Sequence, residues 1–305
     1  MVVMEKKELK IKYAKQIPLL YGYSPLHILE NGQVAIVTTA KQGSTYLRNL
    51  SVLLKDCNKH SISPQEILES DILNMSPDMR VPSKLDLKNM TEFFNGKSSI
   101  KKVLFLYRDP LRKMTGGLWQ DFMNSFSPEE GHHSMLDVIL SKIFKCDMDT
   151  HGFREAISYL EGRRPGWKNP YSVNIEEIEL FTKDIFRTYI KQIIQNGSVL
   201  SEGHTRPWCA DALIWEKEFS EMGYITKFFD LDNPNHNLSE TLKQTYKIKM
   251  PKSKIDRASN INVRQWVYED KFDNGITKSL RGILEHEFRA YDLIRVHPNN
   301  ITKAK

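Results

Sequence analysis

The chain has 305 residues, 40% of them hydrophobic, which is enough to bury one sizeable core, and a single domain over residues 1–305 is the simplest expectation. A formal charge of +6 favours an anionic partner, but basic residues are interspersed with acids and no aromatic-basic recognition motif stands out, which argues against nucleic acid. No apolar run approaches the ~18 residues of a membrane span, and the opening MVVMEKKELKIKYAKQ is too weakly apolar for a signal peptide, so a cytoplasmic chain without a membrane span is expected.

In chain order, PLHILE, Asn31-Gly32 and QVAIVTT read as a hairpin, because Asn-Gly supplies the positive φ angles of a two-residue turn. The second arm, Val34–Val37, is apolar throughout, the pattern of a strand buried on both faces. After a polar loop, Leu47, Leu50, Leu53 and Leu54 recur at helical spacing, with Ser44 or Thr45 available as N-cap. A second buried strand, KKVLFLYR, ends at Arg108-Asp109-Pro110 and leads into LRKMTGGLWQDF, with Pro110 suited to the first helical turn. The middle, about 130 to 200, is helix-rich, and its longest helix, about Ile175–Gln195, stops at Asn196-Gly197. A further strand, YITKFFDL, precedes a helix capped by Ser239, and a last helix covers about 277 to 294. Strands alternating with helices predict an α/β sandwich with a mostly parallel sheet. Cys57, Cys146 and Cys209 lie far apart without a CxxC pair and read as buried thiols rather than a disulfide framework or a zinc knuckle.

Two loops carry the chemistry. Each follows a strand and opens a helix, where free backbone N–H groups and the positive end of the helix dipole attract anions. The first runs Thr38, Thr39, Ala40, Lys41, Gln42, Gly43, Ser44, Thr45; Gly43 lets the backbone curl close to a phosphate, and the hydroxyls and the Lys41 ammonium suit its oxygens. It is not the nucleotide-kinase loop GxxxxGK[ST], since Lys41 precedes Gly43. Instead AKQGSTYLR resembles the 5′-phosphosulfate loop of the sulfotransferases that use 3′-phosphoadenosine 5′-phosphosulfate (PAPS), with Ala40 where that family usually has Pro.

The second loop, starting at Arg108, resembles the 3′-phosphate motif of that family, RDPxxRxxS. Arg108 matches its phosphate-binding arginine, a role suited to a forked, permanently charged donor. Lys113 stands at the second arginine, Gly116 replaces the serine, and Thr115 is one residue away. A weaker resemblance to the carbohydrate sulfotransferases covers GHTRPW, which looks like their HxRPQ segment, and LRGILEHEFRAYDLI, which looks like their last helix.

The resemblance implies a P-loop NTPase-like three-layer sandwich with a mostly parallel central sheet and a helix-rich insertion shaping the acceptor site. It implies transfer of a sulfuryl group from PAPS to a hydroxyl, on a carbohydrate, with no metal. Lys41 would contact the phosphosulfate bridge, Gln42, Gly43, Ser44 and Thr45 would cradle the 5′-phosphate, and Arg108, Lys113, Thr115 and Gly116 would surround the 3′-phosphate. His204, in the HTRPW segment, is the first choice for the base that accepts the acceptor proton, ahead of His60, Glu66, His132 and His133. The His132-His133 pair has no further ligand at metal spacing. The loop GRRPGWKNP, with Arg163, Arg164, Trp167 and Lys168, reads equally as an acceptor contact or as basic surface. Two other readings stand beside this one: a P-loop nucleotide kinase, which lacks its lysine here, and a PAPS-fold protein that binds without turnover. The acceptor and the oligomeric state are open.

Overall fold

The computed structural model describes residues 26–29, 34–39, 42, 47, 50, 92–93, 98–124, 133–160, 166–197, 205–248 and 274–301. Four strands, β1 (Leu26–Leu29), β2 (Val34–Val37), β3 (Lys102–Tyr107) and β4 (Ile225–Asp230), form one sheet in the order β1-β2-β3-β4. β1 pairs antiparallel with β2, and β2, β3 and β4 are mutually parallel, so the sheet is mixed. Leu29 lies opposite Val34, which is the register of a hairpin closing toward Asn31-Gly32, itself outside the described residues. The hydrogen bonds from Phe228 N to Asn299 O and from Ile301 N to Phe228 O occupy part of the outer edge of β4.

Eight helices are described: α1 (Pro110–Asn124), α2 (His133–Phe144), α3 (Thr150–Leu160), α4 (Ile175–Gln195), α5 (Cys209–Glu221), α6 (Leu238–Thr245), α7 (Asn274–Ile283) and α8 (Glu285–Val296). Successive strand side chains point to opposite faces, and the core divides accordingly. Ala35, Val37, Val103, Phe105, Tyr107 and Phe228 face Trp208, Ala212, Trp215 and Phe219 around α5 and Ala290 and Ile294 of α8. Val34, Ile36, Leu104, Leu106 and Phe229 face Leu47, Leu50, Leu242, Tyr246 and Ile248. Helical residues therefore cover both faces of the sheet, which explains why β2 is buried at every position.

The chain divides into two compact units, one of residues 1–113, 206–255 and 284–305, the other of 114–205 and 256–283. The sheet, α5, α6 and α8 belong to the first. In the second, α3 packs against α2 and α4, and α7 against α4. Trp119 and Phe122 of α1 meet Phe186 of α4 there, with ring centroids 4.9 and 5.2 Å apart.

Two expectations are corrected. The helix after β4 is capped by Asn237 rather than Ser239: Asn237 has extended backbone, and its side chain accepts the N–H groups of Ser239 and Glu240. The last helix is two helices, broken at the buried Leu284, two residues after Gly282. Ile276 and Leu280 bury in the second unit and Leu284, Ala290 and Ile294 in the first, so the two helices serve different cores. The antiparallel β1–β2 pair, by contrast, is the expected hairpin, and the other strand pairs are parallel as expected of a mostly parallel sheet. α4 has the expected bounds, opened by Asn174, whose side chain accepts the Glu176 N–H, and followed by Gly197 at φ 67°.

Candidate functional site

β2 and β3 are parallel neighbours with Val37 opposite Phe105, so the residues following each strand leave from the same edge, ~4.8 Å apart in the strand-to-strand direction. On the β2 side, Thr38 and Thr39 are fully buried; the Thr38 hydroxyl donates to the Gln42 carbonyl at 2.6 Å and the Gln42 N–H to the Thr39 carbonyl at 3.3 Å. The Gln42 amide is fully buried, and among the described residues neither its oxygen nor its nitrogen meets a hydrogen-bond partner. Buried amides are rarely left in that state.

On the β3 side, the Asp109 side chain accepts the Arg112 N–H at 2.9 Å and so caps α1, with Pro110 as its first residue. Arg108, 3% exposed, is gripped by Asp232, two residues beyond β4. Arg108 Nη2 donates to Asp232 Oδ1 at 2.6 Å and Nε to Oδ2 at 3.4 Å. Asp232 also accepts the Asp109 N–H at 2.9 Å and Arg112 Nη1 at 3.3 Å. The loop after β4 thus brings a carboxylate onto four donors at the start of α1. Burial opposes the charge of Asp232, yet Arg108, the Asp109 N–H and Arg112 together hold its carboxyl below the usual range. Burial, aided by the neighbouring Asp232, pushes Asp230 the other way.

Lys113 is buried, and its ammonium donates to the Arg206 carbonyl. Burial pushes it down to about 8 against the pull of Glu287 and Cys209, with Arg108 and Arg206 adding to the depression. Glu287 of α8 accepts the N–H groups of Trp208 and Cys209, both at 2.7 Å, and of Ala210 at 3.0 Å. It caps α5 from 77 to 79 residues away. The Trp208 indole donates to the Leu106 carbonyl at 2.8 Å, fixing the start of α5 to β3. Burial holds the Cys209 thiol well above its ordinary value, so it is a protonated core group.

Of the residues singled out in the sequence, Arg108 and Lys113 lie together at the start of α1. Thr115, fully buried, and Gly116, partly buried, follow on α1 within the second unit. Lys41, Gly43, Ser44, Thr45 and His204 lie outside the described residues, as do His60, Glu66, His132, Arg163 and Arg164, and His133 opens α2. Trp167 donates its indole N–H to Glu155 at 3.1 Å and neighbours Tyr159, which ties this residue to α3. Sequence reasoning assigned no role to Arg112, Asp232 or Glu287. The signal for Asp232 was an acid just past the carboxyl end of an apolar strand, the position where ligands of parallel sheets gather. Among the described residues no group of His, Cys, Asp and Glu has metal-site geometry, and no helix is long and apolar enough to cross a membrane.

Comparison with known proteins adds no relative: no protein-family model, no curated protein and no solved structure matches the chain.

Proposed function

We propose that this chain is a sulfotransferase built on a P-loop-like three-layer α/β sandwich, transferring a sulfuryl group from PAPS to a hydroxyl of a carbohydrate acceptor and releasing 3′-phosphoadenosine 5′-phosphate (PAP). The observation that carries the reading is that β2 and β3, the strands leading into the AKQGSTYLR and RDPLRK segments, are parallel neighbours, with the buried amide of Gln42 lacking a partner among the described residues after one and two arginines on an anion after the other. Two anion-attracting turns at the ends of neighbouring parallel strands suit the two ends of one adenosine bisphosphate.

Sulfuryl transfer requires in-line approach of the acceptor oxygen to sulfur while charge builds on the departing phosphate oxygen, so positioning and electrostatics supply most of the acceleration. In this reading Lys41 neutralises the leaving oxygen, the backbone N–H groups and hydroxyls of Gln42 to Thr45 hold the 5′-phosphate, and Arg108 and Arg112 hold the 3′-phosphate. His204 accepts the acceptor proton. Replacing Lys41 by Ala is expected to lower transfer by about 10²- to 10³-fold with the melting temperature unchanged. Near-normal turnover of that variant would remove the lysine from the mechanism.

Calorimetry with PAP and with ATP plus Mg²⁺ tests the reading, and labelled-sulfate transfer from PAPS to a panel of sugars tests turnover. Mg²⁺-independent binding of PAP together with transfer is the expected result. Preference for ATP and Mg²⁺ favours a phosphotransferase, and PAP binding without transfer to any acceptor favours a binding protein.

A further inference from the structure

Arg108, Arg112 and the Asp109 N–H form a complete anion site, and that site already holds an anion belonging to the chain. We infer that Asp232 is an internal stand-in for the nucleotide 3′-phosphate, and that the nucleotide binds by exchanging its phosphate for this carboxylate. The inference rests on the sulfotransferase reading, which supplies the 3′-phosphate.

The four donors reach Asp232 from one guanidinium with 3% exposure, a second with 53% exposure and a helix-start amide. A buried guanidinium without a counter-charge is costly, so a protein that must keep Arg108 inside while no nucleotide is present needs an anion on it. Asp232 meets that need. It sits in the turn after β4, and residues 234–237 beyond it are exposed, so a displaced carboxylate has solvent within reach. A phosphomonoester dianion carries a second negative charge and three terminal oxygens, against the single charge and two oxygens of the carboxylate. It can take over all four donors and gain Coulombic energy from two guanidinium groups.

A nucleotide with an unmodified 3′-hydroxyl has no such currency, since a hydroxyl cannot compensate two arginines. It must leave Asp232 in place and forgo the contact. The carboxylate therefore sets a threshold that only a charged 3′ substituent passes, discriminating PAPS from adenosine 5′-phosphosulfate by competition as well as by attraction.

Calorimetric titration of wild type and Asp232→Asn with PAP and with adenosine 5′-phosphate tests the exchange. In the variant, PAP is expected to bind about tenfold tighter while adenosine 5′-phosphate changes by less than about twofold. Weaker PAP binding by a variant that melts like wild type overturns the inference and makes Asp232 a group that positions Arg108; equal tightening of both nucleotides overturns it as a general charge effect. Should the variant not fold, a crystal structure of wild type with PAP decides. Loss of the Arg108–Asp232 contact supports exchange, and an intact pair beside the bound phosphate refutes it. If wild type binds no PAP at millimolar concentration, the sulfotransferase reading falls first and the exchange with it, a result distinct from each of the others.

Discussion

Lys113 is a cation placed where water scarcely reaches, and the neighbours decide how its charge behaves. Burial pushes its ammonium down to about 8, while an unfolded lysine titrates near ~10.4. Between those values the unfolded chain binds a proton that the folded chain has shed, so stability rises with pH across that window. The rise is on the order of 3 kcal/mol. Above ~10 the trend reverses, since burial holds the Tyr246 and Tyr291 phenols above their ordinary value and the unfolded chain ionises first. Urea denaturation from pH 7 to 11 should show a maximum near ~10. Lys113→Met should flatten the rising limb while leaving the fall above it, and an unchanged limb would mean that Lys113 stays charged. In the sequence this lysine reads as a substitute arginine facing a phosphate; the structure adds that it is buried, with its ammonium on the Arg206 carbonyl.

At the scale of elements, α5 starts without a side-chain cap of its own, because Trp208 precedes it where Ser, Thr, Asp or Asn would be favoured. Glu287 supplies the missing acceptor from α8, with three N–H groups on one carboxylate. Glu287→Ala strands those donors in a buried position. The expected loss is on the order of 3 kcal/mol, read as a lower midpoint of chemical denaturation. A loss under ~1 kcal/mol would mean that water replaces the carboxylate. The elements legible from sequence were those with local signals: the apolar runs of β2 and β3, Pro110 after Asp109, and Asn196-Gly197 at the end of α4. The break at Leu284 was not among them. Helical periodicity continues through that position, and the interruption reflects which core each half buries in.

For the whole molecule, alternation along β2, β3 and β4 sends apolar side chains to both faces, and Leu47, Leu50, α5, α6 and α8 cover them. That arrangement leaves the carboxyl edge of the parallel strands as the place where backbone donors, Arg108, Arg112 and the Gln42 amide gather. The positive formal charge of the chain suits an anion there, though it does not choose the anion.

By itself the sequence determined the α/β class, the order of strands along the chain and the strand-to-helix turn at Arg108. Each of those follows from neighbours within a few positions, through side-chain period, turn chemistry and capping. Tertiary structure alone decided partnership. Arg108 meets a carboxylate 124 residues away, and Glu287 reaches the start of α5 across 77 to 79 residues. No local signal encodes such pairs, because they exist only once strand order and helix packing have brought distant segments to the same edge.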